Sequence, residues 1–252
     1  MIVVWALWSI LVWSFTFVWM ILLVLLSVPL MLFVPFARFQ RLFPVPMMML
    51  VPYLTLSRIR VTRHLRFDAA QHYIFVVNHT SLLDAHMVIL AFPQVICGMM
   101  NEAHLWVPAY GWIMRMANAI PVPRKVQGRA AKLAEMVRER AARGLSVVTF
   151  PEGHRTVDGK IREFRRGIFY MARDSGVPIV PVAIRGLYDV FPKGTWIMRP
   201  GRIDIYIGPP VETRGLTDAQ VDLLTERTRA WITRWVEEGQ TPADEVLAVG
   251  AA

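Results

Sequence analysis

No ionisable side chain occurs in residues 1–37, and a segment of that kind belongs to membrane. As a straight helix rising about 1.5 Å per residue it overshoots a hydrocarbon core of roughly 30 Å. A break is therefore expected, at Ser27-Val28-Pro29 or at Pro35. Six aromatic residues between Trp5 and Trp19 suit the lipid interface, where amphipathic rings anchor. A secretory signal is not expected, because the apolar run is too long and no basic segment precedes it.

Arg38 and Arg41 follow, then a proline-rich join (Pro44, Pro46) and a second apolar segment, Met47 to Leu56, closed by Arg58, Arg60 and Arg63. The second segment is too short to span. The reading is a first helix that enters or crosses the bilayer and a shorter one at the interface, together residues 1–62. A single ordinary anchor followed by a linker is the plainer alternative. The arginines are expected at cytoplasmic headgroups, by the positive-inside tendency and by attraction to anionic lipid. That puts the protein on the cytoplasmic face of the inner membrane. The formal charge of +9 and the pI of about 10.3 favour anionic partners. With no nucleic-acid motif in view, those partners are the phospholipid bilayer or a phosphorylated ligand. Cys97 is the single cysteine, which excludes an internal disulfide; it follows an apolar run and reads as an inert buried thiol.

From Leu65 the composition turns globular. Tyr73–Val77, Val95–Met99, Ser146–Phe150, Ile179–Ile184 and Ile203–Ile207 read as strands; Ser81–Phe92, Tyr110–Asn118, Gly128–Arg143, Gly167–Asp174 and Thr217–Glu238 read as helices. This alternation predicts an α/β domain over 63–240, with a mixed, largely parallel sheet flanked by helices. The tail, 241–252, is expected to fray.

Two strand ends carry polar clusters. The first is Asn78-His79-Thr80-Ser81-Leu82-Leu83-Asp84. In one helix His79 and Asp84 would face different ways, so they meet only if His79 lies in the turn and Asp84 in the first helical turn. Ser81-x-x-Asp84 resembles a capping box, which starts the helix near Ser81. Asp84 can then accept from one imidazole nitrogen and leave the other outward, the arrangement a general base needs. A satisfied histidine at a strand end is the competing reading. The second cluster is Phe150-Pro151-Glu152-Gly153-His154-Arg155. Pro151 stops the strand, Gly153 permits a tight turn and close ligand approach, and Arg155 offers a fork suited to phosphate or carboxylate. A surface turn with an ordinary Glu152–Arg155 ion pair is the competing reading. A third stretch, Val107 to Arg115 continuing to Arg124 and Lys125, is aromatic and apolar enough to lie near acyl chains and to deliver a cation to the same pocket. Hydrolase elbows, Walker loops, dinucleotide glycine patterns and His-Glu-x-x-His are absent from the sequence. His64, His72, His86 and His104 lack metal-ligand spacing and read as structural.

Asn78-His79 with Asp84 resembles the Asn-His-x-x-x-x-Asp block of the glycerolipid acyltransferase family, in particular its bacterial members acting on 1-acyl-glycerol-3-phosphate. Phe150 to Arg155 is similar to the Phe-Pro-Glu-Gly-Thr-Arg block, with His154 in place of threonine. Pro108, Gly111, Arg115 and Pro121-Val122-x-Arg124 resemble the second block, and Val177-Pro178-Ile179-Val180-Pro181-Val182 the fourth. The resemblance implies acyl transfer from acyl-CoA or acyl carrier protein to the sn-2 hydroxyl of a lysophospholipid, giving phosphatidic acid, with no metal or other cofactor. It implies His79 as base and Asp84 as its orienting acid. Arg155 and Arg124 would take the phosphate, Glu152 and Gly153 would position the acceptor, and Asn78 and Ser81 would lie in the binding turn. Backbone amides from Asn78 to Ser81 are the candidates for holding the oxyanion. Family members often carry a lysine just before the second block; here Asn101-Glu102-Ala103-His104 has none. A different lysolipid acceptor is the main rival. A hydrolase using the same pair and a non-catalytic lipid-binding module are the others.

Overall fold

Strand β2 (Ile74–Val77) and strand β5 (Ser146–Thr149) are buried on every residue, and the rest of the domain is arranged around them. Near-continuous apolar runs of this kind suit parallel strands covered on both faces. In the computed structural model, which describes residues 2–30, 33–34, 38, 44–107, 110–123, 129–243 and 247, they sit at the centre of a seven-stranded sheet. Its order is β1-β7-β6-β2-β5-β3-β4, with β1 Arg58–Arg63, β3 Ile96–Asn101, β4 Ile120–Val122, β6 Ile179–Arg185 and β7 Arg202–Ile207. β6, β2, β5, β3 and β4 run parallel. β7 is antiparallel to β6, and β1 follows β7 in parallel. The mixed, largely parallel sheet is the architecture the alternation predicts.

Helices α1 (Ile2–Leu30), α2 (Pro44–Leu54) and α3 (Asp84–Ala91) lie on one face. There Val12 and Val51 join Phe75, Val77, Met87, Val88 and Val182 in one buried cluster. On the other face α5 (Arg129–Ala142), α6 (Gly167–Ser175) and α8 (Asp218–Thr233) bury Leu133, Val137, Phe169 and Trp231 against Ile74, Val76 and Val147. A short helix α4 (Tyr110–Met116) follows β3 after a single 3₁₀ turn, Glu102–Trp106, and α7 (Leu187–Val190) follows β6. The helix predicted to run to Glu238 changes to a π turn at Arg234–Glu238.

Several expectations are corrected. Arg58 to Arg63, read from the sequence as the basic close of the second apolar segment, forms an edge strand of the sheet. Its arginines face solvent while Ile59 and Val61 are partly buried, a charged edge that resists pairing with other chains. The strand is paired along its whole length with β7 of the sheet. Ile120–Val122 is a second strand that its Pro-bounded sequence does not announce. α1 ends at Leu30, directly after Pro29 and so beside the first of the two expected breaks; Pro35 and Arg41 lie outside the described residues. Leu247, in the tail expected to fray, is buried in the core. Cys97 is buried as expected, and burial pushes its thiol up to about 12.

α1 is joined to the domain by polar contacts along one side. Trp8 Nε1 donates to Leu54 O (2.9 Å) and Trp13 Nε1 to Trp196 O (2.8 Å). The fully buried Ser9 hydroxyl accepts from Met198 N–H (2.8 Å) and donates to Trp5 O (2.6 Å). Most of its other side chains, among them Leu7, Leu11, Phe17, Val18 and Leu25, are exposed. Ile2–Trp19 is the one described segment long and apolar enough to cross a membrane. Ser9→Ala leaves the Met198 N–H buried without a partner, which costs about 1–3 kcal/mol. The expected result is a lower thermal midpoint for the detergent-solubilised protein; an unchanged midpoint would show that α1 is not docked in this way.

Candidate active site

The two polar turns meet at the C-terminal ends of β2 and β5, adjacent strands of the sheet. Open parallel sheets present their ligand crevices at this end. Asp84 is the first residue of α3 and is 1% exposed. Its Oδ2 accepts from Thr80 N–H (2.8 Å), Ser81 N–H (2.9 Å) and His79 Nδ1 (2.7 Å), and its Oδ1 accepts from the Thr80 hydroxyl (3.2 Å). A buried carboxylate needs such donors to offset its lost hydration. The same contacts define its neighbour. An ionised carboxylate only accepts, so Nδ1 of His79 donates, and in the neutral imidazole Nε2 carries the lone pair. Nε2 has no hydrogen-bond partner among the described residues, and the side chain is 24% exposed. The ring lies on Phe150, centroids 4.3 Å apart.

The expected capping box forms by half. Asp84 accepts from Ser81 N–H, but the Ser81 hydroxyl donates to Phe191 O (2.8 Å) and accepts from Leu83 N–H (3.3 Å), not from the Asp84 N–H that a capping box would engage. The helix accordingly starts at Asp84 rather than near Ser81. Asn78 is 0% exposed, and its amide is spent on one residue of β6. Nδ2 donates to Ile184 O (3.0 Å) and Oδ1 accepts from Ile184 N–H (2.7 Å). The side chains of Asn78 and Ser81 thus tie the turn to β6 and to the segment after it.

Glu152 corrects a second expectation. It pairs neither with Arg155 nor with any other cation among the described residues. Oε1 accepts from the backbone N–H of His79 (2.7 Å) and Oε2 from that of Arg162 (3.0 Å). Burial pushes its carboxyl above the ordinary carboxylate range, against the lowering effect of those two amides. The His79 carbonyl is held from the same side, by Thr156 N–H (2.9 Å). The two turns thus brace each other through the His79 backbone. The amides of His79, Thr80 and Ser81 all donate to carboxylates. That removes them as oxyanion donors.

Arg155 is half-buried on the second turn, and Lys193 Nζ donates to its carbonyl (3.4 Å). Lys193 belongs to a distant stretch and carries no local sequence signal. Gly153 has φ +76°, a left-handed conformation that favours glycine. Arg124 and Lys125 lie outside the described residues, as does Pro108. In the region of the absent lysine, Asn101 caps the 3₁₀ turn by accepting from Ala103 N–H (3.0 Å). Gly111 packs so closely on that turn that a Cβ would sit 2.0 Å from Leu105 O. Beyond it, Trp106 and Trp112 are 80% and 63% exposed, and the Arg115 guanidinium lies over the Trp106 ring. Of the histidines read as structural, His64 accepts from Arg66 N–H through Nδ1 (3.1 Å), and burial lowers His86 to about 4.

Residues 58–185, from the first residue of β1 to the last of β6, match the family model described as Acyltransferase. The 1-acyl-sn-glycerol-3-phosphate acyltransferase of Limnanthes alba is 32% identical over 150 residues, 59% of this chain and 53% of that protein. The 1-acyl-sn-glycerol-3-phosphate acyltransferase alpha of Homo sapiens is 31% identical over 173 residues, 68% of this chain and 61% of that protein. The chain thus spans little more than half the length of these curated relatives. The crystal structure of the 1-acyl-sn-glycerophosphate (LPA) acyltransferase PlsC from Thermotoga maritima matches the fold with a TM-score of 0.77 at 21% identity, over 95% of this chain and 97% of that one. With both turns of the site inside the matched segment, the chain belongs to the Acyltransferase family.

Proposed function

We propose that the protein is a membrane-bound 1-acylglycerol-3-phosphate O-acyltransferase. It moves a fatty acyl group from acyl-CoA or acyl carrier protein to the sn-2 hydroxyl of 1-acyl-glycerol-3-phosphate, giving phosphatidic acid for phospholipid synthesis. One observation carries the reading: an imidazole with its outward nitrogen free, its tautomer set by Asp84, on a turn braced by the one that bears Arg155. The names of the curated relatives support the same acceptor.

In this reaction Nε2 of His79 takes the proton of the sn-2 hydroxyl as its oxygen attacks the thioester carbonyl. The carbon–sulfur bond then breaks, and the thiolate takes the proton from the imidazolium. Asp84 stabilises that imidazolium while it exists. No acyl-enzyme is required, since the thioester is already activated. Arg155 takes the acceptor phosphate. The outward apolar face of α1 and the exposed Trp106 and Trp112 fit an interface where rings and chains meet lipid. Arg115, stacked on Trp106, suits the headgroup layer. These features support a site at a membrane surface, and in the proposed reading that surface is the cytoplasmic face of the inner membrane, where lysolipid and product both reside.

His79→Ala should lower transfer by about 10³-fold or more, with membrane binding and thermal midpoint kept. Asp84→Asn puts an amide where the Thr80 and Ser81 amides need an acceptor, and should lower kcat by about 10²-fold together with stability. Retention of most activity by either variant would refute the base assignment. Glu152→Gln turns a donor toward one of two backbone N–H groups, so it should lower kcat and the thermal midpoint while the acceptor KM stays near wild type. A rise in KM alone would make Glu152 a substrate contact instead. Arg155→Gln should raise the KM for 1-acyl-glycerol-3-phosphate about 10-fold, measured with both donors against a panel of lysolipids. A panel in which another lysolipid is preferred would replace the acceptor.

A further inference from the structure

Arg165, ten residues beyond Arg155, has no role in the mechanism above, yet it lies against the second turn of the site. A Cβ built on Gly153 would come within 2.4–2.6 Å of its guanidinium atoms. The guanidinium therefore occupies the space that a side chain at residue 153 would fill. The chain is drawn back there by its own backbone, since Arg165 N–H donates to Pro151 O (3.0 Å). Glu152, next to Gly153 in sequence, does not neutralise this cation, because its two oxygens accept from the amides of His79 and Arg162. Among the described residues Arg165 forms no ion pair, and neither does Arg155. The next residue is handled differently: Arg166 is paired with Asp222 at 3.0 Å. Lys193 adds a third positive charge at the Arg155 carbonyl.

Arg165 and Lys193 thus both lie against the turn that bears Arg155, and like charges set around one turn are stabilised when an anion sits among them. We propose that Arg165 is a second phosphate-recognition residue, gripping with Arg155 the phosphate of the lysolipid acceptor, and that Gly153 is there to make room for it. The inference rests on the proposed acceptor and goes beyond it by naming what selects the headgroup. A planar fork suits a phosphomonoester better than an ammonium does. It supplies nothing to an acceptor without phosphate. Arg165 thus sets the preference for a charged acceptor over its neutral counterpart and takes no part in the proton transfer at His79.

The test is steady-state kinetics in mixed micelles, with 1-acyl-glycerol-3-phosphate and 1-monoacylglycerol as paired acceptors. Arg165→Gln should raise the KM for the phosphorylated acceptor about 10-fold and narrow the preference over monoacylglycerol by a similar factor. Arg165→Lys should recover part of it. Arg166→Gln, with the same charge loss one residue away, should leave the KM within about twofold, as expected for a solvent-exposed pair. An Arg165→Gln enzyme with unchanged KM overturns the inference and leaves the functional reading standing. So does a fall in kcat equal for both acceptors, which would make Arg165 a prop of the turn. A wild-type enzyme that does not acylate 1-acyl-glycerol-3-phosphate overturns the functional reading, and this inference with it, before any variant is compared.

Discussion

The structure depends most on how one buried carboxylate is satisfied. Asp84 sits at the start of a helix with almost no exposure, and its two oxygens collect four donors from the three residues His79, Thr80 and Ser81. Without those donors the charge could not stay buried. With them, the turn after β2 has one conformation, and the imidazole has one neutral tautomer. A charge that would otherwise destabilise the fold thereby specifies the site. Glu152 repeats the device one strand away by holding the backbone of the same histidine. The two turns are therefore one unit, and changes in either should reach Nε2. The amides of His79, Thr80 and Ser81 are already engaged, so in the proposed reaction the developing oxyanion must be stabilised by other donors.

The sheet order brings the unit together. β2 and β5 are adjacent and parallel, so their C-terminal turns open on the same rim. The 3₁₀ turn after β3 and the segment after β6 open there too. α1 is bonded to that last segment at Trp196 and Met198, and Trp13 lies 5.5 Å from Phe191, whose carbonyl anchors Ser81. A continuous set of contacts thus runs from the apolar N-terminal helix to the turn under His79. In the proposed function this coupling holds the base at the depth of the lipid headgroups.

What was legible in the sequence had strong local signals. Long apolar runs ending in proline or polar clusters marked the central strands, and the spacing of His79 and Asp84 allowed one way for them to meet. Other elements carry no such signal. β1 reads Arg-Ile-Arg-Val-Thr-Arg, and its charge suggests headgroups unless its partner β7 is known. β4 is three residues with a central proline. Glu152 and Arg155 are three apart and opposite in charge, so a local ion pair is the natural expectation. The carboxylate instead goes to backbone amides brought in from sequence distances of 73 and 10. Arg165 carries no local signal for a related reason: its guanidinium lies beside a glycine twelve positions earlier, a relation that only the folded turn creates.

The proposed proton transfer depends on the tautomer of His79. In ¹⁵N-histidine-labelled protein held in a lipid nanodisc, the His79 ring signals can be assigned by their loss in His79→Asn and followed above the imidazolium range. A proton on Nδ1 and a pyridine-like Nε2, reverting to a tautomer mixture in Asp84→Asn, is the predicted result. A proton on Nε2 in the wild-type protein would contradict it, since that nitrogen could then accept nothing from a substrate hydroxyl.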